Sequence, residues 1–269
     1  MNTFLDFWQH LPLHLDPNII SLFGFQVRWY SLGWLASFLT VYFMVRQRLK
    51  NNPYYRDISL KLAEEGIFYA IFGILIGGRL GYVIFYQPGY FLEHPLEIIL
   101  PFSPSGGFHI TGISGLSYHG GVIGLVIAFF IFSSKKKVNL IKFFELFIPA
   151  IPLGYIFGRL GNFMNGELYG RITDVPWGMY FFDESAKDRT PFTELRHPSQ
   201  LYEAFFEGLV NFLFLWFLKD RVRPGVIMAL YPIGYGIVRF FIEFYRQPEA
   251  QFRDDGNELC TVIGIFSMG

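Results

Sequence analysis

Six stretches of this chain are apolar over about the length a helix needs to cross a hydrocarbon core, lying near residues 20–45, 64–86, 119–134, 142–161, 199–218 and 225–246. The third is short. Within these stretches the apolar residues run continuously and do not recur as a stripe, the pattern of helices solvated by lipid. Of the 269 residues only 16% are charged, 52% are hydrophobic and 20% are aromatic, too greasy a balance for a soluble domain of this length. The mean hydropathy is +0.33. The expected fold class is all-α, a polytopic transmembrane helical bundle forming a single domain over 1–269. The lone Cys260 excludes an intramolecular disulfide and a metal site built on cysteines.

The net charge is zero, but the basic residues are unevenly placed. Arg46, Arg48, Lys50, Arg56 and Lys61 follow the first stretch, Lys135, Lys136, Lys137 and Lys142 the third, and Lys219, Arg221 and Arg223 the fifth. The positive-inside rule assigns these connections to the cytoplasm. It assigns the N-terminus, whose first eighteen residues hold no Lys or Arg, to the outside. The long connections 87–118 and 162–198 then fall on the outer face. They exceed the usual length of a structureless link, which is the mark of lids or binding loops. No basic region followed by a small-residue cleavage site opens the chain, so no signal peptide is expected. After a polar stretch the chain turns apolar at Leu259 and stops at Gly269, about half the length of a span. Either a seventh span is cut short or the tail dips into the interface.

Four arginines, Arg28, Arg79, Arg159 and Arg239, sit inside or at the rims of the apolar stretches. A charge at mid-membrane costs roughly 2.5–3.5 kcal/mol on insertion scales, so such residues face a cavity, a partner or an anionic ligand. Cations converging within a bilayer point first to a phospholipid head group.

The densest polar run is Gly158-Arg159-Leu160-Gly161-Asn162-Phe163-Met164-Asn165-Gly166-Glu167-Leu168-Tyr169-Gly170. Arg159 and Asn162 share a helix face, and the glycines beyond let the backbone turn. An Arg–Glu pair tying loop to helix end explains the same residues. Gly154 and Gly158 form a small-residue step suited to helix packing. In Gly77-Gly78-Arg79-Leu80-Gly81-Tyr82 the glycines suit close helix contact, and Arg79 reads as snorkelling, with a phosphate ligand as the alternative. Tyr235, Arg239 and Glu243 lie on one helix stripe, either a functional face or a self-neutralising pair. His119, in Tyr118-His119-Gly120-Gly121, is the group best suited to take a proton near neutral pH, although a lone His is more often structural. His197-Pro198-Ser199 reads as a helix start with Ser199 as cap. Gly112-Ile113-Ser114-Gly115, close to His119, admits a rhomboid-like intramembrane serine protease as a runner-up. An anion or lipid transporter is the non-enzymatic alternative, but no two similar halves are visible.

Together these segments, with Val27-Arg28-Trp29-Tyr30-Ser31 and His197–Glu203, resemble the prolipoprotein diacylglyceryl transferases of bacterial inner membranes. The resemblance runs in order along almost the whole chain, and the Gly158–Gly170 run is its specific part. It implies seven helices with the N-terminus outside, and a periplasmic-facing site that moves diacylglyceryl from phosphatidylglycerol to the lipobox cysteine of a prolipoprotein signal peptide. It implies no metal or cofactor and no nucleic acid. Carried over by position, Arg159 and Arg239 are the head-group residues, Asn162, Glu167 and Gly170 complete the signature, and His119 is the candidate base. Tyr30, Tyr235 and Glu243 are supporting polar residues.

Overall fold

A computed structural model describes residues 3–22, 25–98, 102–103, 109–110, 116–183 and 190–247. Ser114 with its glycine-flanked run, Cys260 and the apolar tail from Leu259 lie outside the described residues. Five helices are long and apolar enough to cross a membrane: Leu60–Phe85, Tyr118–Lys136, Leu140–Asn165, Ser199–Leu218 and Val226–Glu243. The fold is all-α and multi-pass, as the apolar runs imply.

The remaining expected span starts later. Asn18–Leu22 (β1) and Phe25–Arg28 (β2) pair as an antiparallel hairpin, so the helix begins only at Trp29 and runs to Asn51 (α2), after a short N-terminal helix Thr3–His10 (α1). At 23 residues α2 is long enough to span. Its Trp, Tyr, Ser and Thr residues dilute its apolarity below that of the other five.

The described residues form two compact units, one from those within Met1–Lys50 and Glu145–Phe266, the other from those within Asn51–Phe144. In the second unit, Leu60–Phe85 (α3) is capped by Ser59, whose hydroxyl accepts from the Leu62 amide at 3.1 Å. The short Pro88–Glu93 helix (α4) follows it, and Tyr118–Lys136 (α5) is capped in turn by Ser117. α3 and α5 meet along bare glycine backbone. A Cβ on Gly73 would lie 2.6 Å from the Gly124 carbonyl oxygen, and one on Gly81 would lie 2.7 Å from Gly120 Cα. The glycines around Arg79 thus serve the close helix contact their spacing suggests.

Arg79 is engaged by backbone carbonyls. Its Nε donates to Ile98 O at 3.0 Å and its Nη2 to Glu97 O at 2.6 Å, with the guanidinium over the Phe91 ring. It ties the end of α3 to the turn Pro95–Ile98.

Leu140–Asn165, which belongs to the first unit from Glu145 onward, is broken where Pro149 and Pro152 remove backbone donors. Leu140–Phe147 (α6) passes through a 3-10 turn, Ile148–Ala150, into Ile151–Asn165 (α7). Of the Gly154/Gly158 step only Gly154 is used, against Ser37 O of α2; a Cβ on Gly158 would meet nothing within 4 Å. The next span comprises Ser199–Tyr202 (α8), a π-helical segment Glu203–Val210 and Asn211–Leu218 (α9). The last is Val226–Glu243 (α10). Arg48, expected among free loop cations, is instead 3% exposed and donates to the carbonyls of Glu145 and Leu146.

The connection after α7 is packed. Phe163, Tyr169, Met179 and Phe181 form a buried cluster covered by Trp8, Leu11 and Phe192. The backbone of 170–183 and 190–196 carries isolated bridges, among them Ile172 to Arg196, Phe182 to Pro191 and Gly170 to Arg246.

Candidate functional site

Three carboxylates and three guanidiniums meet between α7, the π-helical segment and the end of α10. Glu203 is their centre and is wholly buried. Its Oε2 receives Arg159 Nε at 2.8 Å and Arg239 Nη1 at 3.3 Å, and its Oε1 lies 3.3 Å from Arg246 Nε. Arg239 also reaches Glu207 Oε1 at 3.7 Å and Glu243 Oε2 at 3.4 Å, and Arg246 Nη1 reaches Glu243 Oε2 at 3.7 Å. Arg159 and Arg239, singled out from sequence, therefore converge on one oxygen atom.

Local sequence explains the convergence. Glu203 and Glu207 are four apart and project from one face of their helix. Gly208 lets that helix approach α7 closely, since a Cβ there would lie 2.5 Å from Ile156 Cγ1 and 3.3 Å from Pro152 O. Arg159 stands one turn beyond Tyr155 on α7. Arg239 and Glu243 stand one turn apart on α10, and Arg246 follows where the helix ends. Arg246 is fixed from behind: Arg171 Nε donates to its carbonyl at 2.8 Å, and Gly170 forms a backbone bridge with it.

A side arm runs from Arg159 into the signature. Arg159 Nη1 lies 3.5 Å from Asn162 Oδ1, and Asn162 Nδ2 donates to Glu167 Oε1 at 3.0 Å, which also accepts from Asn165 at 3.2 Å. Gly166, at φ +74°, ends α7 in the left-handed conformation and folds Glu167 back onto it. The Arg–Glu tie expected at this helix end is thus made through Asn162, and Arg159 itself pairs with Glu203. Gly170 is a close-approach position: a Cβ would come within 2.7 Å of His197 O, and its amide donates there at 2.8 Å.

The other sequence-derived residues are placed as follows. Tyr235 meets Tyr155 edge to face, with centroids 6.3 Å apart. Tyr30, half-buried on α2, meets Trp34 in edge contact, and no hydrogen bond or ion pair among the described residues ties it to the cluster. His119 stands half-buried in the first turn of α5, in the other unit, edge-on to Tyr118. Ser199 does not cap its helix but donates to Leu168 O at 2.9 Å. His197 Nδ1 shares a 3.1 Å hydrogen bond with the Tyr202 hydroxyl, which also accepts from Trp177 Nε1 at 2.8 Å. Burial holds the His197 imidazole below its usual range, with Asp174 acting in the opposite sense.

Three members of the cluster escape a search for cations alone, Tyr155, Glu203 and Glu207, and Arg246 is a cation that sits at the very end of its apolar stretch. The signal is nonetheless present. Two acids four apart inside an apolar run are as costly as the arginines and imply a basic partner.

A family model for prolipoprotein diacylglyceryl transferase matches residues 17–269. The phosphatidylglycerol–prolipoprotein diacylglyceryl transferase of Chlorobaculum tepidum is 46% identical, over 100% of this chain and 89% of that protein. The enzymes of the same name from Bordetella avium and Nitrosomonas europaea are 41% and 40% identical, each over 94% of this chain and over 88% and 83% of their own lengths. With the family model covering nearly the whole chain and relatives at 40–46% identity over most of it, the chain belongs to the prolipoprotein diacylglyceryl transferase family.

Proposed function

We propose that this chain transfers the diacylglyceryl group of phosphatidylglycerol to the thiol of a prolipoprotein's lipobox cysteine. A C–S bond forms at the glycerol carbon, the C–O bond to phosphate breaks, and glycerol phosphate leaves with the electron pair. The observation that carries this reading is the meeting of Arg159 and Arg239 on Glu203, together with kinship to relatives that bear this name.

Three guanidiniums against three carboxylates sum to no net charge when all are ionised, so the cluster can exist in lipid without a ligand. Arg159 is its least covered cation, with its side chain 16% exposed against 7% for Arg239 and 5% for Arg246. It meets Glu203 through Nε, so its terminal nitrogens, of which Nη1 makes only a long 3.5 Å contact with Asn162, face away from that carboxylate as a planar fork for phosphate oxygens. Arg239 polarises the site from behind. As the C–O bond breaks the phosphate gathers charge, and guanidiniums already in place favour the transition state over the ground state.

The attacking thiol, with an ordinary pKa near 8.5, is only a few per cent ionised at neutral pH. His119 is the proposed proton acceptor. Asn162, Glu167, Gly170, Tyr30, Tyr235 and Glu243 are proposed to shape and support the head-group site. The protein works in the bacterial inner membrane with its N-terminus and this site on the periplasmic side. The acyl tails remain in the bilayer, and the signal peptide arrives from outside.

Purified protein incubated with phosphatidylglycerol vesicles and a lipobox peptide should release glycerol phosphate and yield a thioether-linked peptide. No release would overturn the function. Arg159→Ala or Arg239→Ala variants that turn over normally would overturn the site. A His119→Gln variant with unchanged turnover across pH would remove that residue as base and leave the rest.

A further inference from the structure

One group in the cluster is neither acid nor cation, and its geometry fits no simple packing role. The Tyr155 hydroxyl accepts from Arg159 Nε at 2.7 Å, lies 3.1 Å from Glu203 Oε2, and donates to Glu207 Oε2, its nearest carboxylate oxygen. A phenol has one proton. With Glu207 holding it, the oxygen's lone pairs are turned to Arg159. The same ring lies under the guanidinium, whose carbon is 4.9 Å from the ring centroid. Arg159 is thus gripped twice by one side chain, along its Nε edge and across its face.

Without this grip Arg159 would have only Glu203 near its Nε. A flexible arginine beside a wholly buried carboxylate turns toward the best ion pair, a bidentate fork onto that carboxylate. In that pose its terminal nitrogens would be spent on Glu203. The tyrosine hydroxyl occupies the neighbouring position and holds Arg159 to a single-edge contact, and Glu207 fixes the hydroxyl.

We propose that Tyr155 and Glu207 are positioning residues that keep the terminal nitrogens of Arg159 off Glu203, so that Nη2, and Nη1 beside its long contact with Asn162, can meet the departing phosphate. This rests on the proposed role of Arg159 and deepens it. The reacting atoms are touched by Arg159; Tyr155 and Glu207 act through it.

The test is steady-state transfer with phosphatidylglycerol vesicles and a lipobox peptide. Tyr155→Phe keeps the ring under the guanidinium and deletes only the hydroxyl. Losing a hydrogen bond to a charged group should lower kcat about 10- to 100-fold, with KM for phosphatidylglycerol within about twofold. The thermal midpoint in detergent should change little. Because Glu207 acts through the hydroxyl, Glu207→Gln should also lower kcat, and the double variant should be no worse than the poorer single one.

Wild-type kcat in Tyr155→Phe, or a rise in KM at constant kcat, would overturn the proposal. So would additive losses in the double variant. Should Tyr155→Phe fail to fold, Glu207→Gln decides alone, and normal kcat in that variant overturns it. Arg159→Ala is run in parallel. If it is fully active the role of Arg159 fails, and if the wild-type protein does not transfer the function fails, so each failure is separately visible.

Discussion

The α3–α5 seam and the Arg–Glu cluster hold helices together by opposite means. At the seam both partners have shed their side chains, and glycine backbones touch so closely that Gly73 leaves 2.6 Å for an added Cβ before the Gly124 carbonyl. At the cluster the helices meet through long charged side chains paired with one another as ions. Lipid offers no hydrophobic drive between helices, so association needs either close van der Waals packing or polar pairing. The first is rigid and chemically inert. The second can exchange one partner for a substrate, which is the reason for proposing the chemistry there.

The comparison can be broken at its centre. Glu203→Gln leaves Arg159, Arg239 and Arg246 without their common anion, and unpairing a buried charge costs about 3–5 kcal/mol. Thermal unfolding in detergent should fall sharply, and an unchanged midpoint would remove Glu203 as hub. At the seam, Gly124→Ala forces a methyl into backbone and should cost about 1–3 kcal/mol. Gly158→Ala, with open space around its Cβ, is the control and should stay within about 1 kcal/mol of wild type in the stabilising direction. Equal effects would show that the two glycines are not different in kind.

Smaller effects sharpen the picture. Arg79→Met deletes two bonds to carbonyls and should speed amide exchange at residues 95–98 while leaving α5 protected. A uniform change across the unit would refute a local tie. His197, with its pKa lowered in the fold, binds protons more readily when unfolded. Its contribution is therefore complete above about pH 6.5 and is lost as pH falls through the lowered value. Wild type should lose more stability than His197→Gln between pH 7.5 and 5, and parallel curves would exclude this.

Much of the architecture was legible because apolar run length is a direct image of bilayer thickness. The misjudged start of α2 arose where the alternating residues of Asn18–Arg28 form a hairpin that hydropathy alone reads as part of a span. Arg159, Asn162, Glu167, Arg239 and Glu243 were legible because charge in lipid is conspicuous. Glu203 sat at the end of an apparent helix start. Tyr155 lies one turn before Arg159 and Arg246 three residues after Glu243, but Glu203, the carboxylate that Tyr155 and Arg246 both meet, comes from another helix, and only the fold joins residues 155, 203 and 246. Arg79 was visible but misassigned, since its partners are backbone carbonyls that carry no residue signature.

The cluster also bears on how the protein is made. Its charges ride separately: Arg159 on α7, Glu203 and Glu207 on the next span, Arg239 and Glu243 on α10. During synthesis the span bearing two acids leaves the translocon with only Arg159 of α7 to pair with Glu203, before α10 exists to neutralise Glu207, and each unpaired mid-membrane charge weighs against that step by roughly 2.5–3.5 kcal/mol. Ser199–Leu218 is therefore a marginal passenger until Arg239 arrives, and the last two spans gain from entering the bilayer as a pair.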